Sequence, residues 1–218
     1  MGRSLGVVCL LFALMGGAAA QDSNKGGESK KNELGLLLGG VVTSQKTTLN
    51  GVLPGAPVDV GAGLTFQATY ARRLKEWKRA ALYFEVPFVA TPSTEVRSPD
   101  TSVVHNYDTL YVTPGLRVKF APRKMVSPWL ALGGGYGLLE ASKGLISGAP
   151  TPGERFVHTG TLQMGGGVDF APRFKILVPI GFRLEVRDFY TSVPNLNTTL
   201  TDSRQHNVLF SGGLVVKF

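Results

Sequence analysis

From Val208 to its terminal residue Phe218 the chain alternates in character. Val208, Phe210, Gly212, Leu214, Val216 and Phe218 form one face, while Asn207, Ser211, Gly213 and Lys217 fall on the other. About ten residues of apolar/polar alternation ending in an aromatic is the pattern of a strand with one side in lipid and the other in a polar lumen. The edge strand of a water-soluble sheet can show the same pattern, so recurrence decides between them. Tyr70, Phe120, Phe170 and Phe218 each end a similar run, spaced fifty, fifty and forty-eight residues apart. The wording repeats too: Lys119-Phe120-Ala121-Pro122-Arg123 against Asp169-Phe170-Ala171-Pro172-Arg173, with Lys217-Phe218 at the end. A period in this range can signal propellers or solenoids, but no blade signature accompanies it. Two strands, one long loop and one short turn per period fit it better.

Alternation and turn signals predict eight strands, over residues 33–44, 60–71, 80–91, 107–120, 129–141, 157–170, 177–189 and 206–218. Long connectors (45–59, 92–106, 142–156 and 190–205) follow the odd strands, and short ones (72–79, 121–128 and 171–176) follow the even strands. The expectation is an all-β fold: an eight-stranded antiparallel up-and-down transmembrane β-barrel with short periplasmic turns and longer extracellular loops. An even strand count puts both ends of the barrel on the periplasmic side.

The N-terminus sets the compartment. Arg3 precedes an apolar stretch from Val7 to Met15, and Ala18-Ala19-Ala20 before Gln21 supplies a small-residue cleavage site. Residues 1–20 read as a cleaved secretory signal peptide. The single cysteine, Cys9, lies within it, so no thiol, disulfide or cysteine-metal site is expected in the exported chain. Residues 21–32 (QDSNKGGESKKN) are polar, charged and glycine-rich and read as a flexible lead-in. The barrel then occupies 33–218. No later segment has the ~18 unbroken apolar residues of a spanning helix. The 28 glycines, 12 phenylalanines and 6 tyrosines suit a barrel wall.

The formal charge of +8 is unevenly placed. Arg72, Arg73, Lys75, Lys78, Arg79, Arg123, Lys124, Arg173 and Lys175 all lie in the three short turns, opposed there only by Glu76, whereas the long loops are near neutral. A nucleic-acid surface would interleave cations with stacking aromatics on one exposed face. Here they sit at hairpin tips beside Trp77, so contact with anionic lipid head groups of the outer membrane is expected, and no nucleic acid.

Phasing each strand on its terminal aromatic leaves an outward set nearly free of charge, for example Leu64, Phe66, Ala68 and Tyr70, or Leu110, Val112, Pro114, Leu116, Val118 and Phe120. A slip of one residue would invert the set, and an Arg or Lys at the bilayer midplane costs ~2–4 kcal/mol. The fifth strand is ambiguous, because 129–136 is apolar on both faces. The inward set holds Tyr83, Glu85, Arg117, Lys119, Gln163, Asp169, Arg183, Glu185, Arg187 and Lys217. An eight-stranded lumen is only wide enough for side chains to fill it, so Glu85, Asp169 and Glu185 are expected to pair with Arg117, Arg183 and Arg187. An ion path or gate is the functional reading of this cluster; a salt-bridged plug is the favoured one.

The signal peptide, the hairpin layout, the run Gly181-Phe182-Arg183-Leu184-Glu185-Val186-Arg187-Asp188-Phe189 and the final Phe218 together resemble the small OmpA/OmpX-type outer-membrane β-barrel domains of Gram-negative bacteria. Gly165-Gly166-Gly167-Val168-Asp169 before Phe170-Ala171-Pro172 is similar to that group's sixth strand and turn. The resemblance covers residues 33–218. It implies an outer-membrane location, a periplasmic aromatic girdle of Tyr70, Phe120 and Phe170, and Phe218 as the signal read by the barrel-assembly machinery. A monomer without a cofactor is expected, structural or surface-interacting, with at most slow porin-like solute passage and no cell-wall tether.

Two other readings stay open: an outer-membrane lipid-modifying enzyme and a soluble periplasmic ligand-binding barrel. His105, His158 and His206 fall at the outer ends of even strands, but the phasing turns His105 inward and the other two toward lipid. They are not expected to converge on a metal or a catalytic set. His158-Thr159 also lacks the serine and asparagine neighbours of the lipid deacylase it would resemble. The triplets Gly133–Gly135 and Gly165–Gly167 precede no helix and read as places of strand bending or close packing.

Overall fold

The computed structural model describes residues 30–171 and 180–218. The signal peptide, Cys9, residues 21–29 of the lead-in, Pro172, Arg173, Lys175 and the first residues of the expected seventh strand lie outside them. The described residues form strands and no helix: β1 (Asn32–Thr43), β2 (Lys46–Thr47), β3 (Pro57–Val60), β4 (Gly63–Glu76), β5 (Ala80–Arg97), β6 (Asn106–Val112), β7 (Gly115–Phe120), β8 (Val126–Ala141), β9 (Phe156–Phe170), β10 (Ile180–Ser192) and β11 (Arg204–Lys217). All pairings are antiparallel. The ring runs β1, β4, β5, then β6 and β7 as one stave, then β8, β9, β10 and β11. It closes where β11 returns to β1, in register from Glu33↔Lys217 to Thr43↔Asn207. Closure leaves the eight-stave wall no free edge, which matters because unpaired backbone groups in hydrocarbon cost several kcal/mol each.

The stave expected to be continuous over 107–120 is broken. Pro114 has no N–H to give the ladder, so β6 ends at Val112 and β7 starts at Gly115. The neighbouring strand adapts: Gly134 N–H donates to the Pro114 carbonyl at 3.1 Å. A Cβ at Gly135 would lie 2.1 Å from the Val112 carbonyl oxygen, so only glycine lets β8 approach this break. Beyond the wall, β5 runs on to Arg97 after a register shift between Thr91 and Thr94.

Burial alternates residue by residue along the staves, which separates two faces. Outward side chains such as Leu64, Leu130, Leu132, Leu162 and Leu184 are 59–66 % exposed. The inward neighbours of Leu130 and Leu184 include Trp129 and Glu185, at 1 % and 4 %. β8, ambiguous by sequence, is thereby phased with Trp129 and Ala131 inside. A continuous apolar belt of this kind is far larger than the patches a water-soluble monomer exposes. Two acidic side chains on the outward parity near the long-loop end are matched there: Glu140 pairs with Arg155, and Asp188 Oδ2 lies 2.6 Å from His206 Nδ1.

The long loops fold over that end as a cap with its own core. Val58, Val96, Val103, Val104, Leu139 and Leu196 are buried together. β2 pairs with β3 and β3 with β5, while single bridges join Thr48 to Leu200 and Val104 to Leu145. Asp100 ties the first loop to the second. Its Oδ2 accepts from Leu53 N–H at 3.1 Å, and its Oδ1 accepts from the Ser102 N–H and hydroxyl at 2.9 and 2.6 Å. Burial alone would raise this carboxyl; the hydrogen bonds from Ser102 and from the Leu53 and Val52 backbone outweigh it and hold the carboxyl below the usual range. Gly51, at φ +120°, lets the loop pass this carboxylate: a Cβ there would lie 2.3 Å from Asp100 Oδ2.

Candidate functional site in the barrel lumen

The short-turn half of the lumen is filled by charge. Arg117 (β7), Arg183 and Arg187 (β10) and Lys119 (β7) face Glu33 (β1), Glu85 (β5), Asp169 (β9) and Glu185 (β10), and none of the eight is more than 7 % exposed. Their strand phases alone aim them inward; the antiparallel register brings them level, as in the pair Arg183↔Asp169 between β10 and β9.

Two linked clusters result. In the one nearer the short turns, Glu33 accepts from Arg117 Nη2 at 2.5 Å and from Lys119 Nζ at 2.8 Å. Asp169 takes Arg183 Nε at 2.7 Å and Nη2 at 2.9 Å in a two-pronged pair. It also takes Lys119 Nζ at 2.5 Å and Trp129 Nε1–H at 3.1 Å. In the second cluster Arg187 donates to Glu85 through Nη1 and to Glu185 through Nε, each at 2.7 Å. Glu185 also accepts from Gln67 Nε2 at 2.6 Å. Arg117 Nε, 3.4 Å from Glu85, connects the two. Four cations against four carboxylates leave the buried set neutral, the condition under which charge is tolerated in so narrow a space.

Trp129 stands at the centre. The guanidinium carbons of Arg187, Arg183 and Arg117 lie 5.0, 5.1 and 5.5 Å from its ring, and that of Arg117 also lies 4.9 Å from the Tyr83 ring. Arginine stacks on aromatic faces while keeping its planar fork for carboxylates, which lysine cannot do. Space for this assembly comes from the second glycine triplet. A Cβ at Gly167 would meet Trp129 Cζ2 at 2.7 Å, and one at Gly165 would meet Arg187 Cγ at 2.8 Å. Toward the loops the lumen becomes less charged. Thr113 donates to Gln163 Oε1 at 3.0 Å, and Tyr111 stacks on Phe189 at 4.8 Å beside Val89 and Leu209. The cap lies above that layer.

The structure thus brings together Glu85, Arg117, Asp169, Arg183, Glu185 and Arg187, and adds two members. Lys119 shares the inward parity of Arg117. Glu33 joins four cations, including Lys217 at 3.8 Å, yet it lay outside the charge set read from the sequence. Its signal was available: Glu33 has the parity of Leu37 and Val41, both buried. Tyr70, Phe120, Phe170 and Phe218 fall on the outward parity at the short-turn end, with Tyr70 Oη donating to Asn32 Oδ1 at 3.0 Å.

The histidines do not converge. His158 contacts Tyr136 and His206 contacts Asp188, both on the outer surface. His105, expected to point inward, is exposed, because the chain has left the wall for the cap before it reaches β6. Among the described residues no His/Cys/Asp/Glu group of three or more is arranged to hold a metal ion.

No family model and no curated protein matches the chain. Solved structures do. Neisserial surface protein A superposes with a TM-score of 0.56 at 16 % identity, over 88 % of this chain and 100 % of that one. The outer membrane protein OprG from Pseudomonas aeruginosa gives 0.51 at 11 % identity, over 88 % and 98 %. The outer membrane enzyme PagL gives 0.42 at 14 % identity, over 83 % and 97 %. A closed ring of eight antiparallel staves, apolar outside and charged within, that superposes on the first two over 88 % of the chain has the fold of the small eight-stranded outer-membrane β-barrels.

Proposed function

We propose that this chain, exported through a cleaved signal peptide, is an integral outer-membrane barrel whose lumen is sealed. In this reading it serves as a structural or surface-interacting element, with at most slow passage of small solutes. The observation that carries the reading is the lumen itself: eight buried charges paired with one another around Trp129, an aromatic layer above them, and a loop cap with its own core. A conducting barrel of this class needs a wetted polar path; here the plug residues are almost completely withdrawn from solvent. Assembly follows from Phe218 as the recognition signal for the barrel-assembly machinery, and the closed wall lets the barrel stand as a monomer in outer-membrane lipid. Against a lipid-modifying enzyme stands the separation of the histidines: among the described residues neither His158 nor His206 hydrogen-bonds a serine.

Purified protein in a planar lipid bilayer tests this directly. The expected record is a flat baseline; steady openings on the order of a nanosiemens, as a water-filled channel gives, would refute the sealed lumen.

A further inference from the structure

Where the charges of this chain meet the short-turn rim, they are no longer balanced. The end of β4 and the turn after it contribute five cations between Arg72 and Arg79, and the second short turn adds Arg123 and Lys124. The register brings these segments side by side: Ala80 pairs with Phe120, and Ala121 N–H donates to the Arg79 carbonyl at 2.8 Å. A concavity opens between them, lined by Lys30, Arg73, Glu76, Tyr83, Arg123 and Lys217. Among the described residues that line it Glu76 is the only carboxylate, and it is already engaged by both Arg73 and Arg123 Nε. Arg123 spends one N–H on that pair. Its side chain is 76 % exposed, which leaves its two Nη groups available to an outside acceptor.

Apolar side chains stand among these cations. Leu74, at the register shift between Arg73 and Lys75, is 56 % exposed, and Met125 is 53 % exposed. Trp77 is 46 % exposed, with Lys75 Nζ 5.4 Å from its ring. Phe120 and Phe218, just inside the rim, are also open to the surroundings. A soluble anion or a carboxylated cell-wall polymer would use the cations and leave Leu74 and Met125 stranded in water. A ligand with an anionic phosphate joined to hydrocarbon satisfies both sets, as interfacial aromatics and cations do at a membrane surface.

We infer that this concavity is a binding site for the phosphate of an anionic phospholipid of the inner leaflet, with the acyl chains lying against Leu74, Met125 and the aromatic rim. Glu76 acts as the positioning residue, holding the two guanidiniums at the edge of the site. The inference rests on the membrane reading above and goes beyond it by assigning one lipid class to one place.

The test is native mass spectrometry of protein purified from membranes in detergent and mixed with equal amounts of phosphatidylglycerol and phosphatidylcholine. Wild type is expected to retain about fivefold more phosphatidylglycerol. Lys30→Gln/Arg123→Gln is expected to lose the preference, whereas Lys143→Gln, at the loop end, keeps it. Heat-modifiable migration reports whether each variant is folded. Equal retention of the two lipids by the folded wild type, or a preference that survives the double substitution, overturns the inference and leaves the membrane reading standing. Displacement of the retained lipid by millimolar inorganic phosphate would mark a site for the ion instead and overturn the lipid assignment. A chain that folds in buffer without detergent overturns both.

Discussion

Replacing Arg187 with methionine is expected to destabilise the barrel by about 3–5 kcal/mol, the cost of removing one partner from a buried ionic set. Arg187 joins Glu85 to Glu185 and lies against Trp129, so its loss strands two carboxylates where neither water nor another cation replaces it fully. Methionine keeps much of the bulk, which confines the effect to charge and hydrogen bonding. The diagnostic comparison is Arg187→Met/Glu185→Leu. Removing one of the stranded carboxylates should return part of the loss, so the double variant costs less than the two single effects added together. Urea unfolding in lipid vesicles, followed by the gel shift of the folded form, measures all three. Additive losses would show that Arg187 and Glu185 act independently and that the observed pairing carries little energy.

The second large effect belongs to the outer face. Leu184→Arg should cost about 2–4 kcal/mol, the depth-dependent penalty for a cation facing mid-bilayer. Leu184 sits between Val168 and Gly212 on the neighbouring strands, with no acidic side chain across either pairing. The same substitution near the long-loop rim, Phe156→Arg, should cost less, because the chain end of an arginine there reaches water. Both are read by the same unfolding assay. Equal small costs at the two positions would mean that the belt faces water.

The outward phase was legible because hydrocarbon punishes any mistake in it; charge had to be absent from the lipid-facing middle of one parity. The eight staves follow from that alternation, and the break at Pro114 could have been read from the missing N–H alone. β8 resisted phasing because its inner face is as apolar as its outer one: Trp129 serves as a platform for three arginines supplied by other strands. Glu33 was hidden by position, at the start of a strand that begins without an aromatic marker and follows a polar lead-in. The cap was illegible for a different reason. Val58, Val104, Leu139 and Leu196 come together from four distant segments, and no local period records contacts of that range. Asp100 likewise looks like one more loop acid until the Leu53 N–H and the glycine at 51 are seen around it.

Adjacent residues on β8 offer the sharpest test of the whole account, since Trp129 faces the charged lumen and Leu130 the belt. Two single-tryptophan proteins would be folded into vesicles of brominated lipid: Trp77→Phe, which keeps Trp129, and Trp77→Phe/Trp129→Phe/Leu130→Trp. Bromine should strongly quench the tryptophan at 130 and leave Trp129 nearly untouched. Equal quenching at the two positions, or none at 130, would contradict a barrel that wears hydrocarbon outside and seals its charges within.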